Sequence, residues 1–548
     1  MSASKPSAHG AWTRPALLLG AVLGALALLL YNTDLREAAA SLPVQLACGR
    51  PESDALLVPR RPAVPPSHPQ SYDPPAPIPG LTVDTSVLLD RQFMLSGTEL
   101  ERAISFGDSS RLRRQVARLM EGEHVRITAV GASITSGAGG REWEKTHTNW
   151  PGYVVQFADW LRAAFPRANA TVHNAGMAGT FSGVFAQCFD TLIPPADIYV
   201  LEQTTFDGTE PERCYCKDHY VNTPVQLGIE RLIRRMLKQP HQPAVIMLNT
   251  YGFRFPNREV YQRSLENQVQ VMAQFYGLSM ASLRAAAWRR MLEGGSGFDV
   301  TTTVKLYGDA PPPADRYPLY YDQVHPWGPT GHRLLAELLM RTIQATAVGL
   351  NIQPLSMAEL DPPGERLLPP LQPGNYETNT SSCWLGDDFQ TLVDTAEGFD
   401  WINERPTATE KKAQKWGYVA FEPGSFLEFG IDSRVAGSTE KTNRVVLSYL
   451  ASYEGMGIAR VACVSGCECE ETAIDALWQE KASMLMTAEF QATQHARCRV
   501  RVTVQRQTSA EGHKFKLAGV MVLPAGTNEF SSSDRLEVVV PQMFEKGS

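Results

Sequence analysis

Strand-like and helix-like segments alternate from Val125 to about Ala347, and this order limits the possible folds more than any other feature of the chain. The strands are short runs at residues 125–130, 171–174, 197–201 and 244–249. Strands that are joined by helices pair in parallel, and the helices cover both faces of the sheet. The last run is apolar throughout, which is typical of a strand buried on both faces. The sequence therefore predicts a three-layer α/β domain with a parallel sheet.

The helical segments of this domain carry apolar residues at helical spacing. They cover residues 108–120, 150–164, 185–192, 225–237, 260–291 and 328–347. The segment from 260 to 291 keeps this pattern over its whole length and predicts one long helix. We place the α/β domain at residues 81–350.

A proline-rich joint at residues 361–374 separates this domain from a C-terminal part with a different period. Six segments there have strand character, several with alternating apolar and polar residues. They lie at 418–422, 425–430, 444–450, 484–490, 499–504 and 515–522. Short strands with Gly and Pro turns predict an antiparallel, sandwich-like β domain at 381–527, after a linker at 351–380. Such modules bind sugar chains or serve as structural or dimerising units, and the fold does not decide between them.

The N-terminal region contains a predicted membrane segment. Residues 15–31 form an unbroken apolar run, preceded by Lys5 and Arg14. This pattern predicts a transmembrane signal anchor with a cytoplasmic tail at 1–14. The alternative is a secretory signal peptide that is cleaved near Ala38–Ala40.

A stem is predicted between the anchor and the α/β domain, at residues 32–80. It contains ten prolines between residues 51 and 80, which is typical of an extended, semi-rigid spacer. With the anchor, it predicts a single-pass type II protein of the Golgi or the cell surface, whose main part is lumenal or extracellular. Cleavage of the signal would make the protein secreted. Residues 528–548 are predicted to form a C-terminal tail.

Charge and cysteine content limit the partners and the compartment. The formal net charge of -7 gives no basic footprint, so we expect no nucleic-acid partner. Nine cysteines, an odd number, leave at least one unpaired or intermolecular. Disulfides are favoured over metal ligation, and Cys463 and Cys498 are candidates to cross-link the β domain. The sequons at Asn169 and Asn379 are candidate glycosylation sites in the lumen.

Ser133 follows the first strand of the α/β domain, within the small-residue run Gly131–Gly140. In open parallel sheets this end of a strand is where ligands bind. A serine between small residues can approach a substrate without a bulky neighbour in the way. Ser133 is therefore a candidate nucleophile, and a serine that caps the next helix is the alternative.

A nucleophilic serine needs a base and a group that orients the base. Asp322 and His325 lie three residues apart in a short loop before the last helix, so both can face the same point. Pro326 restricts His325 to extended geometry. In this arrangement His325 would take the serine proton and Asp322 would orient the imidazole. A surface ion pair or a turn is the alternative.

Together these stretches resemble the SGNH hydrolases, the GDSL-like lipases and esterases. The matching stretches are Gly131-Ala-Ser133-Ile-Thr, Asn174-Ala-Gly-Met-Ala-Gly179-Thr and Asp322-x-x-His325-Pro. The resemblance covers residues 121–350 and leaves both ends uncovered. It implies a flavodoxin-like domain with Ser133, His325 and Asp322 as catalytic residues. It also implies an oxyanion hole made by the backbone N–H groups of Ser133 and Gly179.

One stretch departs from the family pattern. The family's third block ends in Gly-x-Asn-Asp, and its Asn side chain donates to the oxyanion, whereas here Phe206 precedes Asp207. Losing one such donor costs about 100- to 1000-fold in rate in a comparable hole. Either another donor substitutes, or the enzyme is slow, or the domain has lost its activity. The candidate substitutes are Gln203, Thr204, Thr205 and Asn249, with Thr205 and Asn249 retained as the site candidates.

We therefore expect a serine hydrolase that acts on an ester, with an O-acetyl group on a glycan as the candidate substrate. The glycan expectation rests on the stem-anchored layout and on the β domain. One alternative is a Golgi acyltransferase that passes the acyl group to a polysaccharide hydroxyl. Another is a catalytically impaired protein that binds glycans. No metal and no cofactor are expected, since the sequence has neither a phosphate loop nor a dinucleotide fingerprint.

Overall fold

The computed structural model describes residues 93–141, 149–208, 224–360, 367–377, 382–406, 414–435, 438–478 and 483–525. Within these ranges, no helix has the length and apolar character needed to cross a bilayer. The predicted anchor, stem and C-terminal tail lie outside the described residues, as do Cys214, Cys216 and the sequon at Asn379.

The α/β domain begins with α1 (Gly97–Ala103), β1 (Ile104–Ser105), α2 (Ser110–Glu121), β2 (Arg126–Gly131), α3 (Tyr153–Ala164) and β3 (Thr171–Asn174). It continues with α4 (Ser182–Gln187), α5 (Phe189–Leu192), β4 (Ile198–Glu202), α6 (Thr204–Asp207), α7 (Pro224–Leu237) and β5 (Ala244–Asn249). It ends with α8 (Glu266–Phe275), β6 (Ser279–Ser282), α9 (Leu283–Glu293), a π-helical turn (Gly328–His332), α10 (Arg333–Ile352) and α11 (Met357–Leu360).

These strands form one sheet in the order β1-β6-β5-β4-β2-β3. The neighbours from β6 to β3 are parallel, and the two-residue β1 is antiparallel to β6. The parallel strands follow the flavodoxin-like order, in which the chain reverses its direction of travel beside β2. The predicted α/β domain with a parallel sheet is confirmed, and the end of β2 lies at the point where such sheets bind ligands.

The helices cover the sheet with apolar faces, as α2 illustrates. It buries Leu112, Val116 and Leu119 on one side, at the spacing of a helical face. It ends at Gly122, which has a φ of +87°. This left-handed conformation is typical of a glycine that terminates a helix.

The predicted long helix over 260–291 is wrong. The structure has α8, then the strand β6, then α9 in this region. β6 has the sequence Ser-Met-Ala-Ser and is fully buried, so it carries no alternation that would distinguish it from a helix. Gly277, with a φ of +65°, breaks the helical course, and parallel pairing with β5 then stabilises the strand.

The C-terminal part contains β7 (Cys383–Leu385), α12 (Asp387–Gln390), β8 (Val393–Glu397), β9 (Asp400–Asn403), β10 (Trp416–Ala420) and β11 (Phe426–Ile431). The later strands are β12 (Thr442–Ser452), β13 (Ile458–Ser465), β14 (Thr472–Asp475), β15 (Ser483–Thr493), β16 (Cys498–Val504) and β17 (Phe515–Leu523).

These strands form two antiparallel sheets. One has the order β15-β12-β17-β10-β9, with β7 also paired to β17, and the other has the order β14-β13-β16-β11-β8. Apolar residues from both sheets, such as Leu447 and Val502, share one buried core. The predicted antiparallel, sandwich-like β domain is confirmed.

Residues 367–377, within the predicted linker, pack on α7 through buried charged groups. Glu230 is fully buried and accepts a hydrogen bond from the Asn375 amide, at 2.8 Å. Arg234 and Glu377 form an ion pair in which both side chains are only 2% exposed. Buried charges are tolerated when they are paired in this way. The described residues of the α/β and β domains accordingly belong to one compact unit.

Three disulfides lie within the described residues. Cys188–Cys383 joins the α/β domain to the β domain across 195 positions, for which the chain-entropy model gives about 5 kcal/mol. The β domain contains Cys463–Cys469 and Cys467–Cys498. Cys463 and Cys498 therefore both cross-link the β domain, but each pairs with another cysteine, and a direct bond between the two is not formed. The register of β13 and β16 explains this, because it places Cys463 opposite Val500.

Candidate active site

Ser133 lies just after β2, in a loop that is packed closely on β4. A Cβ at Gly131 would collide with the Thr135 hydroxyl and with the carbonyl oxygen of Glu202. Ser133 is partly exposed, while the residues on both sides of it are buried. The small residues of this loop therefore allow close packing and leave Ser133 partly exposed.

His325 connects Ser133 to Asp322 through hydrogen bonds. Nε2 of His325 lies 2.9 Å from Oγ of Ser133, and Nδ1 lies 2.8 Å from Oδ2 of Asp322. The other carboxylate oxygen of Asp322 accepts from the N–H groups of Val324 and His325. With Nδ1 donating to the carboxylate, Nε2 faces the serine hydroxyl as an acceptor.

The loop of Ser133 meets the loop of His325 at Gly139. A Cβ at Gly139 would collide with the carbonyl oxygen of Pro326, and the φ of Gly139 is +88°. The Gly328 N–H donates to the Gly139 carbonyl at 3.1 Å. Both the lack of space and the left-handed backbone require glycine here. This close approach sets the separation of Ser133 and His325.

Opposing effects act on the carboxyl of Asp322. Burial raises its pKa, whereas hydrogen bonds from the His325 ring and from two backbone N–H groups lower it, and the result is a pKa of about 2. Asp322 is therefore ionised at neutral pH. An ionised carboxylate holds the tautomer of the ring and would stabilise an imidazolium.

Residues 175–181 form a loop after β3 that we call the glycine loop. The Asn174 side chain holds its start, because it donates to the Thr135 carbonyl (2.7 Å) and accepts from the Gly176 N–H (2.9 Å). Gly179 follows with a φ of +72°. Among the described residues, none accepts a hydrogen bond from the N–H of Ser133 or of Gly179.

Phe206 occupies the place where the resembling family has its Asn donor. Its ring packs on Phe181 of the glycine loop, with the centroids 4.6 Å apart and the planes tilted by 45°. Both rings are partly exposed. This position therefore adds an apolar surface rather than a hydrogen-bond donor.

The four candidate substitute donors bond elsewhere in the structure. The Thr205 hydroxyl lies 2.7 Å from that of Thr250, and the Thr204 hydroxyl donates to the Thr250 carbonyl. The Gln203 amide donates to a carbonyl of the glycine loop at 3.4 Å. Asn249 is fully buried and donates to a methionine sulfur on β6. The hydrogen bonds of these four side chains thus lead to residues other than Ser133.

Glu202 is a buried carboxyl at the end of β4, beneath the Ser133 loop. It is 1% exposed, and burial raises its pKa. Its oxygens accept from the hydroxyls of Thr135 (2.9 Å) and Thr250 (2.8 Å). Thr135 also bonds to the Tyr153 hydroxyl at 2.9 Å. One carboxyl thus links the ends of β2, β4 and β5 to the first turn of α3.

His332 performs a similar task on the other side of the loop. It is fully buried, and burial lowers its pKa to about 4, so the ring is neutral. Nε2 lies 2.8 Å from the Ala138 carbonyl, and Nδ1 accepts from the Tyr153 N–H at 3.2 Å. The neutral ring therefore ties the end of the Ser133 loop to α3.

The sequence predictions did not include Glu202, Thr135 or His332 as parts of this site. Glu202 has a signal, because a charged residue that ends an apolar strand implies a buried polar group with partners. His332 has no comparable signal, since its neighbours form an ordinary helix start. The hydrogen bonds of Ser133, His325 and Asp322 bring together the residues that the motifs singled out.

No protein-family model matches the chain, and no curated protein matches it either. Solved structures do. A two-domain esterase (CEX) active on acetylated mannans has a TM-score of 0.51 and 17% sequence identity, over 78% of this chain and 98% of that chain. The same esterase, co-crystallised with mannopentaose, gives the same values. At 17% identity this structural similarity shows only the fold, which is a two-domain architecture. An inference about activity has to rest on the residues of the site.

A mutant of Axe2, an acetylxylan esterase from Geobacillus stearothermophilus, also overlaps the chain. It has 18% identity and covers 40% of this chain and 94% of that chain. Its TM-score of 0.28 is too low to carry an argument.

Asp322→Asn should lower the free energy of unfolding by about 2 kcal/mol at pH 7, because each unit of pKa shift corresponds to about 1.4 kcal/mol. The folded pKa of about 2 lies below the ordinary value of 3.8, so this contribution is present above about pH 4 and is lost as the pH falls towards 2. Urea unfolding of both proteins from pH 2 to pH 7 measures it. A difference that stays constant over this range contradicts the prediction.

Glu202→Leu should lower the free energy of unfolding by about 3 kcal/mol, because it keeps the volume but leaves two buried hydroxyls without their acceptor. Glu202→Gln should cost less than about 1.5 kcal/mol, since hydroxyls can donate to or accept from an amide. Urea unfolding at pH 7 compares the two. Equal losses for both variants would show that the hydrogen bonds do not matter.

Proposed function

We propose that this protein is a serine esterase that removes O-acetyl groups from a glycan. The observation that carries the proposal is the hydrogen-bonded chain from Asp322 through His325 to Ser133, at the ligand-binding end of a parallel sheet. Acyl transfer needs a nucleophile, a base with its orienting group, and oxyanion donors. The backbone N–H groups of Ser133 and Gly179 supply the donors in this proposal.

In the first half of the reaction, the Oγ of Ser133 attacks the ester carbonyl as Nε2 of His325 takes its proton. Asp322 holds the ring through Nδ1 and stabilises the imidazolium. The tetrahedral oxyanion accepts from the two N–H groups, and His325 returns the proton to the leaving sugar hydroxyl. In the second half, water attacks the acetyl-enzyme with His325 again as the base, which releases acetate and restores Ser133.

The glycan part of the proposal has two supports. The esterase with the same two-domain architecture is active on acetylated mannans. In this chain the two domains are an α/β domain and a β domain. The proposed membrane anchor and stem would place the site in the lumen of the Golgi or outside the cell. The sequon asparagine Asn169 is exposed, at the turn before β3.

The apolar pair Phe206–Phe181 favours a second reaction for the same acetyl-enzyme. A site with little polar surface beside the nucleophile excludes water, and acyl transfer to a sugar hydroxyl then competes with hydrolysis. Incubation with an acetyl donor and an unacetylated oligosaccharide, followed by mass spectrometry, separates the two. Free acetate alone supports the esterase, and a sugar product heavier by one acetyl group supports transfer.

Ser133→Ala should reduce hydrolysis of a small acetyl ester by at least about 1000-fold, because it removes the nucleophile without adding bulk. Release of acetate and labelling by a fluorophosphonate probe both measure this. The matched control is Ser296→Ala, which removes an exposed serine hydroxyl in another loop. Undiminished activity of the Ser133 variant would disprove the assignment, and a folded wild-type protein without label would favour a glycan-binding role.

Phe206→Asn should raise kcat on a small acetyl ester by about tenfold, because it places an amide where the resembling family has its oxyanion donor. The gain falls below the 100- to 1000-fold of a mature donor, since the surrounding residues are packed for a ring. Phe206→Leu is the control that shortens the side chain without a donor. An equal kcat for both variants would mean that this position does not reach the oxyanion.

A further inference from the structure

One short helix and one disulfide connect the glycine loop to the β domain. Gly179 lies three residues before α4, and Cys188 follows α4 directly as its C-cap. Cys188 is disulfide-bonded to Cys383 on β7, the first strand of the β domain. Any shift of the β domain relative to the sheet would therefore pull on the helix that leads out of this loop.

An apolar seam extends this link beyond the disulfide. It is a separate buried cluster that joins one side of α4 to β7, β12 and β17 of the β domain. Its members are Val184, Cys188, Cys383, Val446, Met521 and Leu523. All of them are at most 7% exposed, so the seam is as tightly closed as a domain core.

The β domain also contacts the glycine loop directly. A Cβ built on Gly179 would lie 3.6 Å from the backbone nitrogen of Leu485. Leu485 belongs to β15, which is the edge strand of its sheet. β15 therefore lies against the residue whose N–H we assign to the oxyanion.

The α/β domain holds the other side of α4. A Cβ at Gly228 of α7 would lie 2.9 Å from the Gly183 nitrogen, so the two helices pack backbone to backbone. At the start of α4, the Ser182 N–H donates to Asp207 at 3.2 Å. The helix is thus fixed between α7 and the β domain, and its position depends on both.

We propose that the β domain is a positioning element of the active site. Through the Cys188–Cys383 disulfide and the apolar seam, it holds Gly179 at the place where its N–H meets the oxyanion above Ser133. This inference rests on the proposed esterase function and extends it. The sulfur atoms belong to residues that are 1% and 7% exposed, so the disulfide acts as a fixed cross-link and not as an accessible redox switch.

The test compares full-length variants. Cys188→Ala with Cys383→Ala removes the cross-link without leaving a thiol. Cys463→Ala with Cys469→Ala is the matched control, because it removes a disulfide within the β domain. Val446→Ala is an independent variant that loosens the seam and keeps the disulfide. Thermal unfolding first identifies the temperature at which every variant is folded.

Hydrogen–deuterium exchange of the peptide that contains residues 175–187 is the first readout, with β5 as the internal reference. We expect faster exchange of this peptide in the Cys188/Cys383 variant and no change in the Cys463/Cys469 variant. The second readout is hydrolysis of a small acetyl ester. Because a misplacement of about 1 Å costs roughly 100-fold, kcat should fall about 10- to 100-fold. KM should change by less than about threefold, since oxyanion contacts act on the transition state.

Val446→Ala should produce the same changes in weaker form. Unchanged exchange of the glycine loop in both the Cys188/Cys383 and Val446 variants overturns the inference, whatever the activity. Faster exchange with an unchanged kcat also overturns it, because the position of the loop would then not matter. A wild-type protein without esterase activity would refute the proposed function instead, and the exchange readout would still decide whether the β domain holds the loop.

Discussion

The hydrogen bond between Nε2 of His325 and Oγ of Ser133 joins residues that are 192 positions apart in the chain, and the rest of the α/β domain serves this one contact. Parallel pairing of β2 with β3 and β4 brings the Ser133 loop to the edge of the sheet where the chain reverses its direction. The approach of Gly139 to Pro326 then sets the distance between the loops. Because neither the Ser133 loop nor the His325 loop contains regular structure at the contact, the geometry depends on the buried groups beneath them.

Those buried groups are polar, and removing a polar group from water costs free energy. Glu202 and His332 are both almost completely buried. Burial raises the pKa of Glu202 and lowers that of His332, and each shift favours the neutral form of the group. A buried polar group is tolerated only when its hydrogen bonds are satisfied, and a satisfied network allows one arrangement of its members. We infer that these groups contribute precision rather than net stability. Their partners, Thr135 and Ala138, follow Ser133 within five residues on the chain, so these groups fix the backbone next to the proposed nucleophile.

The sequence predictions succeeded where local patterns decide the structure and failed where contacts between distant residues decide it. The strand pattern and the order of segments predicted the parallel sheet and an antiparallel, sandwich-like β domain, because period and connectivity act locally. β6 was missed, since a short buried strand without alternation has the same pattern as a helix. β8 and β9 were missed because they are short and contain no buried residue, and β7, β13 and β14 were missed as well. At the site, motifs pointed to Ser133, Asp322 and His325. They did not point to Glu202 or His332, whose roles exist only once distant strands meet.

The same reasoning explains why the two domains should be considered together. Motif matching ends near residue 350, yet the loop that contains Gly179 is bounded by a helix that is cross-linked to Cys383. The proposed oxyanion site, with two backbone donors and with Phe206 in the place of a third, would have little tolerance for movement of either donor. In such a site, each remaining donor carries a larger share of the stabilisation of the transition state. A disulfide and an apolar seam behind α4 are then a physical means to keep Gly179 in place without adding a polar group to the cleft.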